Sequence, residues 1–479
     1  MPSSMNAVVP MLCVVAAGIA SLLAEALRRP GERMPIAGLG VIGLLAAGIS
    51  AAWLWDRNAT SFGVVSADNF GLFIVLILVV IGILTMAFSS QVVSRDHLPA
   101  GEYYGLTLLG LGGMMLMATA TDLLLIFLAL EVLSLAVYVL TAIRRDSEAS
   151  TEGGFKYFLL GGFSSAFFLY GIAFTYGVAG STRLDKVGSL LAAQSMGSNP
   201  LALIAVGLLI VGFAFKVSAV PFHMWTPDAY QGAPTVVTAF MSTAVKAAAF
   251  GAFARVFLSA FEPLRADWTP VLWLVAAATM IFGTVVGVVQ ANMKRMLAYS
   301  SIAHAGYILV GIVSANEVGK AAVLYYLLVY AVTNLAAFAT IAMLGTRERP
   351  NDEVKDMSGL ATTQPAVAAL MTVFLLSLGG MPPTAGFVAK WYVFSAAVNA
   401  GYTWLAIIGV LSSVVAVFFY LRIVVMMYMA EPAVDRPALP ALSRLGLAAL
   451  GASMIAVFYL GILPTRVLTL AAGAVATIF

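Results

Sequence analysis

Residues 212–250 read GFAFKVSAVPFHMWTPDAYQGAPTVVTAFMSTAVKAAAF, and they decide what kind of protein this chain can be. The stretch sets two lysines, Lys216 and Lys246, in sequence apolar enough to lie inside a bilayer. A lysine near a membrane centre costs roughly 2.5–3.5 kcal/mol on insertion scales, so it is kept facing a protein interior or a water-filled path. Desolvation disfavours the charged form of an amine, so a modest change in a neighbouring charge can load or unload a proton. Pro221 follows Lys216 by five residues. Its ring and missing N–H leave the carbonyl of Val217 without a helical partner and interrupt the helix. A broken helix beside a buried lysine is the arrangement of a transport site.

Composition extends this reading to the whole chain. Of 479 residues, 62% are hydrophobic and 10% charged, against about 25% charged in a soluble domain. The mean hydropathy is +0.99. Too few polar side chains remain to cover a soluble surface, and apolar runs of about 20 residues suit helices and are too continuous for barrel strands. The net charge of +3 arises from basic residues scattered through short loops, a footprint of membrane topology and not of nucleic-acid binding. Cys13 is the sole cysteine and the three histidines are far apart, so no disulfide, cysteine-ligated iron–sulfur cluster or metal site is expected. The N-terminus, MPSSMNAVVP, has no basic residue ahead of its first apolar run, so a cleaved signal peptide is not expected.

Apolar runs bounded by charges or by Pro and Gly place helices near residues 5–27, 36–55, 69–90, 104–120, 122–143, 154–178, 200–222, 234–260, 269–290, 296–315, 319–345, 363–396, 402–430 and 441–463. That makes an all-α polytopic membrane protein of about 14 spans. The segment from Ser181 to Asn199 reads either as a short interfacial helix or as a plain loop. With the N-terminus outside, inward loops carry 14 lysines and arginines and outward segments 7, so both termini are expected outside. Four basic residues fall deep within spans, apart from those near span ends that are counted with the loops: Lys216, Lys246, Lys390 and Arg422. Gly38, Gly40 and Gly43 satisfy G-x-G-x-x-G, but no strand precedes them, and a dinucleotide site is rejected. Gly283 and Gly287 are read as a face where helices approach closely.

Glu131 lies midway along the fifth span, in LLLIFLALEVLSLAVYVLTAIRR (123–145), and is the one acid deep in any span. Its first reading is an ion pair with Lys216, which would hold the carboxylate ionised; its second is a neutral group bonded to a neighbouring helix. Lys246 lies too deep to snorkel easily and needs water or another titratable group nearby. The stretch LLSLGGMPPTAGFVAKWYVF (375–394) cannot form one regular helix, and Lys390 follows its break. Two interrupted spans five helices apart suggest repeated units at residues 104–260 and 261–430, flanked by a three-helix segment, 1–103, and a C-terminal helix, 431–479. Matching Pro221 with Pro382 pairs Lys216 with Ser377, and matching the fifth span with the tenth brings His304, in YSSIAHAGY (299–307), near the place of Glu131. His304 either relays a proton or packs as a satisfied histidine beside Ser300 or Tyr299. His223, next to Pro221, is read as structural.

The stretches FKVSAVPFHMWTPDAYQGAPTVVTAFMSTAVKAAAF (215–250), KRMLAYSSIAHAGY (294–307) and GGMPPTAGFVAKW (379–391) resemble the proton-translocating membrane subunits of respiratory complex I. Those are similar in turn to antiporter subunits of multi-subunit sodium/proton exchangers. Within the group, the resemblance is to the subunit N family of bacterial NADH-quinone oxidoreductase, and it covers most of the chain. It implies fourteen helices, two inverted five-helix repeats with discontinuous seventh and twelfth helices, and a mid-membrane path of Glu131, Lys216, Lys246 and Lys390. It further implies a multi-pass place in the bacterial inner membrane, with other membrane and peripheral subunits, the lipid bilayer and protons as partners and no nucleic acid. No cofactor is implied in this chain: NADH, FMN, iron–sulfur clusters and quinone belong to other subunits. A subunit of a sodium/proton antiporter is the alternative, and four intramembrane charges argue against a scaffold without transport. Val236 stands where the family commonly has a second proline, leaving the geometry ahead of the eighth helix open. The chain ends shortly after its last span, which does not fit the largest antiporter-like subunit, subunit L, with its long lateral helix.

Overall fold

Hydrocarbon offers backbone amides no water, which leaves the helix as the way for apolar runs of this length to satisfy themselves. The computed structural model describes residues 5–28, 35–193, 199–432 and 439–478. After a 3-10 turn at Met5–Val8 come α1 (Val9–Leu27), α2 (Ile36–Leu54), a hairpin of β1 (Ala59–Ser61) and β2 (Val65–Ala67), α3 (Asn69–Arg95), α4 (Ala100–Thr119) and α5 (Leu123–Thr141). Next are α6 (Glu148–Ala179), α7 (Leu184–Ala193), α8 (Pro200–Val217), α9 (Trp225–Gly232) and α10 (Thr235–Arg255). The second half holds α11 (Arg265–Val288), α12 (Met293–Ser314), α13 (Glu317–Leu344), α14 (Leu360–Thr363), α15 (Pro365–Gly379), α16 (Ala385–Asn399), α17 (Thr403–Met429), α18 (Arg444–Ile462) and α19 (Thr465–Val475).

Among the described residues, twelve helices are long and apolar enough to cross a membrane. The two expected spans outside that set differ for physical reasons. α4 is diluted by Glu102 and five glycines, and those glycines let its neighbours close in: Gly105 meets Leu22 of α1, and Gly113 meets the backbone of Leu133 in α5. The expected span at 363–396 is two helices of 15 residues each, α15 and α16. α7 settles the segment after Ser181 as a helix, with Leu184, Val187 and Leu191 buried; residues 194–198 lie outside those described. The β1–β2 hairpin was not expected, because strands of three residues carry no periodicity to read.

Burial sorts the helices into a centre and a rim. The membrane-length windows of α12 and of α10, continued by a π turn at Val256–Ala260, are 100% buried and that of α13 is 94%, whereas those of α2, α6 and α18 are 33% buried. A helix apolar all round belongs inside a bundle, and this places Lys246 and His304 at the centre. Gly283 packs on the α12 backbone at Tyr299 and Ala303, and Gly287 meets Phe419 of α17, the close approach expected of that pair. α10 begins at Thr235 behind Pro234, with Val236 buried in its first turn. A single proline therefore suffices to end the preceding segment.

Two helices stop inside the bundle. α8 ends at Val217 with Ser218 left-handed, φ 66°, and α15 ends at Gly379 with Gly380 left-handed, φ 81°. The peptide bonds Val220–Pro221 and Pro382–Pro383 are cis. Matching the two left-handed caps sets Lys216 against Leu378, one residue from the Ser377 obtained by matching Pro221 with Pro382. The cap, not the proline, marks where each helix ends.

Each helix leaves its last carbonyls without intrahelical donors, and cations from other segments repeatedly meet them, as the helix dipole favours. Arg95 donates to Ala342 and Met343 at the end of α13, at 3.0 and 3.3 Å. Arg265 donates to Ser314 at the end of α12, at 2.9 Å. Lys294 donates to Gln231 and Ala233, where α9 ends, at 2.7 and 2.6 Å. Arg422 donates to the carbonyls of Val288 and Gln290 after α11, so this intramembrane base is a helix cap. Arg255 of α10 forms a two-pronged pair with Asp68, at 2.7 and 2.8 Å, with side chains 3% and 5% exposed. Asp68 also caps α3 by accepting from Gly71 N.

Candidate functional site

All three lysines singled out by sequence are buried, Lys216 2%, Lys246 1% and Lys390 5% exposed, and His304 is 4% exposed. A charged lysine has three donors and no acceptor, so the partners of each Nζ define what it can do.

Lys216 occupies the last turn of α8, where its Nζ donates to Ser134 Oγ at 2.7 Å. Ser134 donates in turn to the carbonyl of Leu130 on its own helix. The rings of Tyr138 and Tyr157 stand 5.4 and 5.3 Å from the ammonium, within cation–π range. Glu131 is half-buried and turns toward α6, where its Oε1 accepts from Ser165 Oγ at 2.5 Å. The expected Glu131–Lys216 ion pair is therefore not made: among the described residues, no ion pair involves either group. Helix geometry is the reason, because residues three apart occupy adjacent but distinct directions and Ser134, not Glu131, faces α8. A cavity of about 10 Å³, lined by Gly161, Ser164, Ser165, Gly212 and Lys216 among others, joins the two sides and is large enough for about one water.

At the bundle centre, Lys246 donates to the carbonyl of Ser301 at 2.5 Å. Ser301 Oγ accepts from Tyr330 at 2.8 Å. The titratable neighbour that Lys246 needed is His304, one turn further along α12. Its Nδ1 meets Tyr326 Oη at 2.8 Å and its Nε2 meets Tyr420 Oη at 3.3 Å. Tyr420 also bonds Ser300, so Ser300 is a neighbour at one remove. The His304 ring also packs against those of Tyr307 and Tyr330, 5.5 and 5.2 Å between centroids.

Lys390, on α16, folds back over the break. Its Nζ donates to the carbonyls of Leu378 and Gly379 at 2.9 and 3.0 Å and to Ser413 Oγ at 2.8 Å, which uses all three donors. Lys246, Ser301, His304 and Lys390 form a row bridged by tyrosine rings: Tyr330, which bonds Ser301, lies 5.2 Å from the His304 ring between centroids, and Tyr307 lies 5.5 Å from the His304 ring and 5.0 Å from the Lys390 ammonium. Between Lys216 and Lys246 stands an aromatic layer: Tyr157 stacks on Trp225 with centroids 4.0 Å apart, and Trp225 donates to Phe215 O at 3.0 Å. Tyr230, carried on the fragment α9 that follows the first break, extends this layer, 6.1 Å from Trp225 between ring centroids. His223 packs edge-on to Phe282, 4.6 Å between centroids.

Sequence reasoning missed the hydroxyls around these charged groups: Ser134, Ser165, Ser301, Ser413, Tyr326, Tyr330 and Tyr420. A serine inside a helix usually bonds its own backbone, so its type alone says nothing. The available signal was spacing, since Ser134 follows Glu131, and His304 follows Ser301, by three residues.

One end of the bundle carries a second polar region, a cavity of about 270 Å³ lined by Arg95, Asp96, Arg144, Gln231, Lys294 and Asp352 among others. Arg144 binds Asp96 at 2.7 Å; burial pulls its guanidinium below its ordinary value and outweighs the neighbouring carboxylate. Beside the cavity, Asp228 bridges Lys156 of α6, at 2.9 Å, and Arg295 of α12, at 2.7 Å. Partial burial raises the Asp228 carboxyl, but hydrogen bonds from Arg295 and Lys156 outweigh it and hold the group below 3.8. Among the described residues, no group of three or more His, Cys, Asp or Glu could hold a metal ion.

Residues 120–416 match the family described as NADH:quinone oxidoreductase/Mrp antiporter, transmembrane. The chain is 47% identical over 426 residues to NADH-quinone oxidoreductase subunit N of Trichlorobacter lovleyi, covering 89% of this chain and 88% of that one. Among solved structures it is similar to a chain of respiratory complex I from Thermus thermophilus with bound aureothin, at TM-score 0.83 and 34% identity, over 97% of this chain and 100% of that one. A chain of the Mrp complex from a Dietzia species shares the fold at TM-score 0.83 and 22% identity, over 99% of this chain and 97% of that one.

Proposed function

This chain belongs to the subunit N family of NADH-quinone oxidoreductase, within the wider NADH:quinone oxidoreductase/Mrp antiporter group, and from that premise we propose that Glu131, Lys216, Lys246, His304 and Lys390 form its proton path. It is a proton-translocating membrane subunit of that enzyme, coupling electron transfer from NADH to quinone in other subunits to proton movement across the membrane. It carries no redox centre of its own; FMN, iron–sulfur clusters and the NADH and quinone sites belong to the other membrane and peripheral subunits that are its partners.

The observation that carries the path is the row from Lys246 through Ser301, Tyr330, His304 and Tyr307 to Lys390, joined by hydrogen bonds at its start and by ring contacts from there on. A lysine accepts only after giving up its proton, so each must discharge in turn. The Glu131 charge reaches Lys216 across the small cavity between α5, α6 and α8. Opposed charges about 6 Å apart at an effective dielectric near 20 interact by about 3 kcal/mol, enough to decide which group carries a proton. A shift of Glu131 toward or away from Ser165 would therefore load or unload Lys216.

The same reading makes fourteen crossings by counting α4 and by joining α8 to α9 and α15 to α16 as discontinuous seventh and twelfth helices. It makes α4–α10 and α11–α17 the two inverted five-helix repeats. The chain sits in the bacterial inner membrane with both termini outside. The test is Lys246→Met in the intact complex, measured as protons moved per electron pair in sealed vesicles. The expected result is electron transfer retained in part with proton yield reduced; an unchanged proton yield would remove Lys246 from the path.

A further inference from the structure

On the face of the bundle opposite the Asp96–Lys294 cavity, α11 begins beside a recess of about 740 Å³ lined by Arg265, Ala266, Thr269, Pro270, Trp273 and Tyr402. Nothing in the proton row uses it. We propose that this recess binds one anionic phospholipid, its phosphate held by Arg265 and Thr269 and its acyl chains lying along the outer face of α11.

Three independent features support this. Thr269 is 5% exposed and its Oγ1 has no hydrogen-bond partner among the described residues, although threonines in these helices ordinarily bond the carbonyl four residues back, as Thr279 does with Val275. A buried hydroxyl left without a partner in the wall of a recess costs stability unless a ligand completes it. Arg265 is the one charged residue in the lining, and among the described residues only its Nη2 is engaged, on Ser314 O. A guanidinium has five N–H donors in a flat fork that matches phosphate, so the others remain for a ligand without disturbing the α12 cap. The same lining also holds an acceptor: Pro270 has no N–H, which leaves the Ala266 carbonyl without its helical donor. A head group bearing a hydroxyl, such as that of phosphatidylglycerol, can supply it.

The surroundings say what covers the site. Val271, Leu274, Ile281, Phe282 and Val285 form an exposed apolar stripe along α11, which in a membrane protein is met by acyl chains. Trp273 and Tyr402 stand at the recess, as aromatic side chains do at the level of lipid head groups. The volume lies in the range of about 300–1,000 Å³ of small-molecule sites. The proposal rests on the chain's place in a membrane and not on the proton path, so the two can fail separately.

The test uses the intact complex in nanodiscs of phosphatidylcholine doped with photoactivatable phosphatidylglycerol, or with photoactivatable phosphatidylcholine as control, and reads cross-linking onto residues 262–275 by mass spectrometry. The phosphatidylglycerol probe is expected to label wild type at least about fivefold more than the control, the factor corresponding to the ~1 kcal/mol of one cation near an anionic lipid. Arg265→Gln should bring labelling down to the control level. Thr269→Val, which changes shape little and leaves the Ser314 contact alone, should reduce it about threefold. Inorganic phosphate should not compete. Equal labelling by both probes, or unchanged labelling in both variants, overturns the proposal. Loss of labelling on adding phosphate would make this a site for a soluble anion, and absence of labelling in the intact complex would mean that another subunit covers the face; either result also overturns it.

Discussion

Lys390 offers the sharpest test, because two replacements separate its proton from its charge and its hydrogen bonds. Lys390→Arg keeps a cation over the Leu378 and Gly379 carbonyls but effectively cannot deprotonate. Lys390→Met fills similar space and removes both the charge and the donors. Two carbonyls would then lose a donor at the end of α15, but Ser413 Oγ already lies 3.3 Å from the Gly379 carbonyl and can take it over. One buried acceptor, Leu378, is left short, which costs about 1–3 kcal/mol. The expected result is that both variants lose proton translocation while only the methionine variant dissociates or unfolds at lower temperature. The assays are protons per electron pair in sealed vesicles and heat-induced loss of the chain from the purified complex. If the arginine variant moves protons as well as wild type, deprotonation at 390 is unnecessary and Lys390 is a fixed charge. If the methionine variant is as heat-resistant as wild type, the cap contributes nothing.

Glu131→Gln keeps an acceptor for Ser165 but removes the charge, so proton yield should fall while assembly is unchanged; normal translocation would take Glu131 out of the path. Arg255→Met leaves Asp68 buried and unpaired, which should destabilise the chain by about 3–5 kcal/mol and appear as poor accumulation in the membrane; wild-type heat resistance would contradict it. The Asp228 carboxyl is held below 3.8, so its stabilising contribution is complete above that value and is lost as pH falls through the folded value. Asp228→Asn should therefore weaken the α6–α12 bridge by about 1 kcal/mol at neutral pH, with the difference from wild type vanishing in acid; a difference that grows in acid would reverse the sign. In a Cys13→Ser background, Asn6→Cys should react with an impermeant reagent from outside, and labelling only from the cytoplasmic side would invert the topology.

Composition and apolar run length alone determined that this is a helical membrane protein, because a chain so poor in charge cannot cover a soluble surface and a run of about 20 apolar residues has no better way to satisfy its backbone in lipid. The breaks at Pro221 and at Pro382–Pro383 were legible for the same local reason, a proline's missing donor. So were Lys216, Lys246 and Lys390, since a charge in an apolar run is conspicuous without any partner being known. What each charge touches was decided only by tertiary structure. Sequence made Glu131 the natural partner of Lys216, but the rotation of α5 turns Ser134 toward the lysine and Glu131 toward Ser165. Arg422 stands as deep in an apolar run as the three lysines, and only the neighbouring end of α11 shows it to be a helix cap. The carbonyls freed by the second break hold Lys390 itself, because α16 turns back over the end of α15. Burial depth follows from run length and composition, which are local; the direction in which a buried side chain points depends on helix rotation and packing, which no stretch of this sequence encodes by itself.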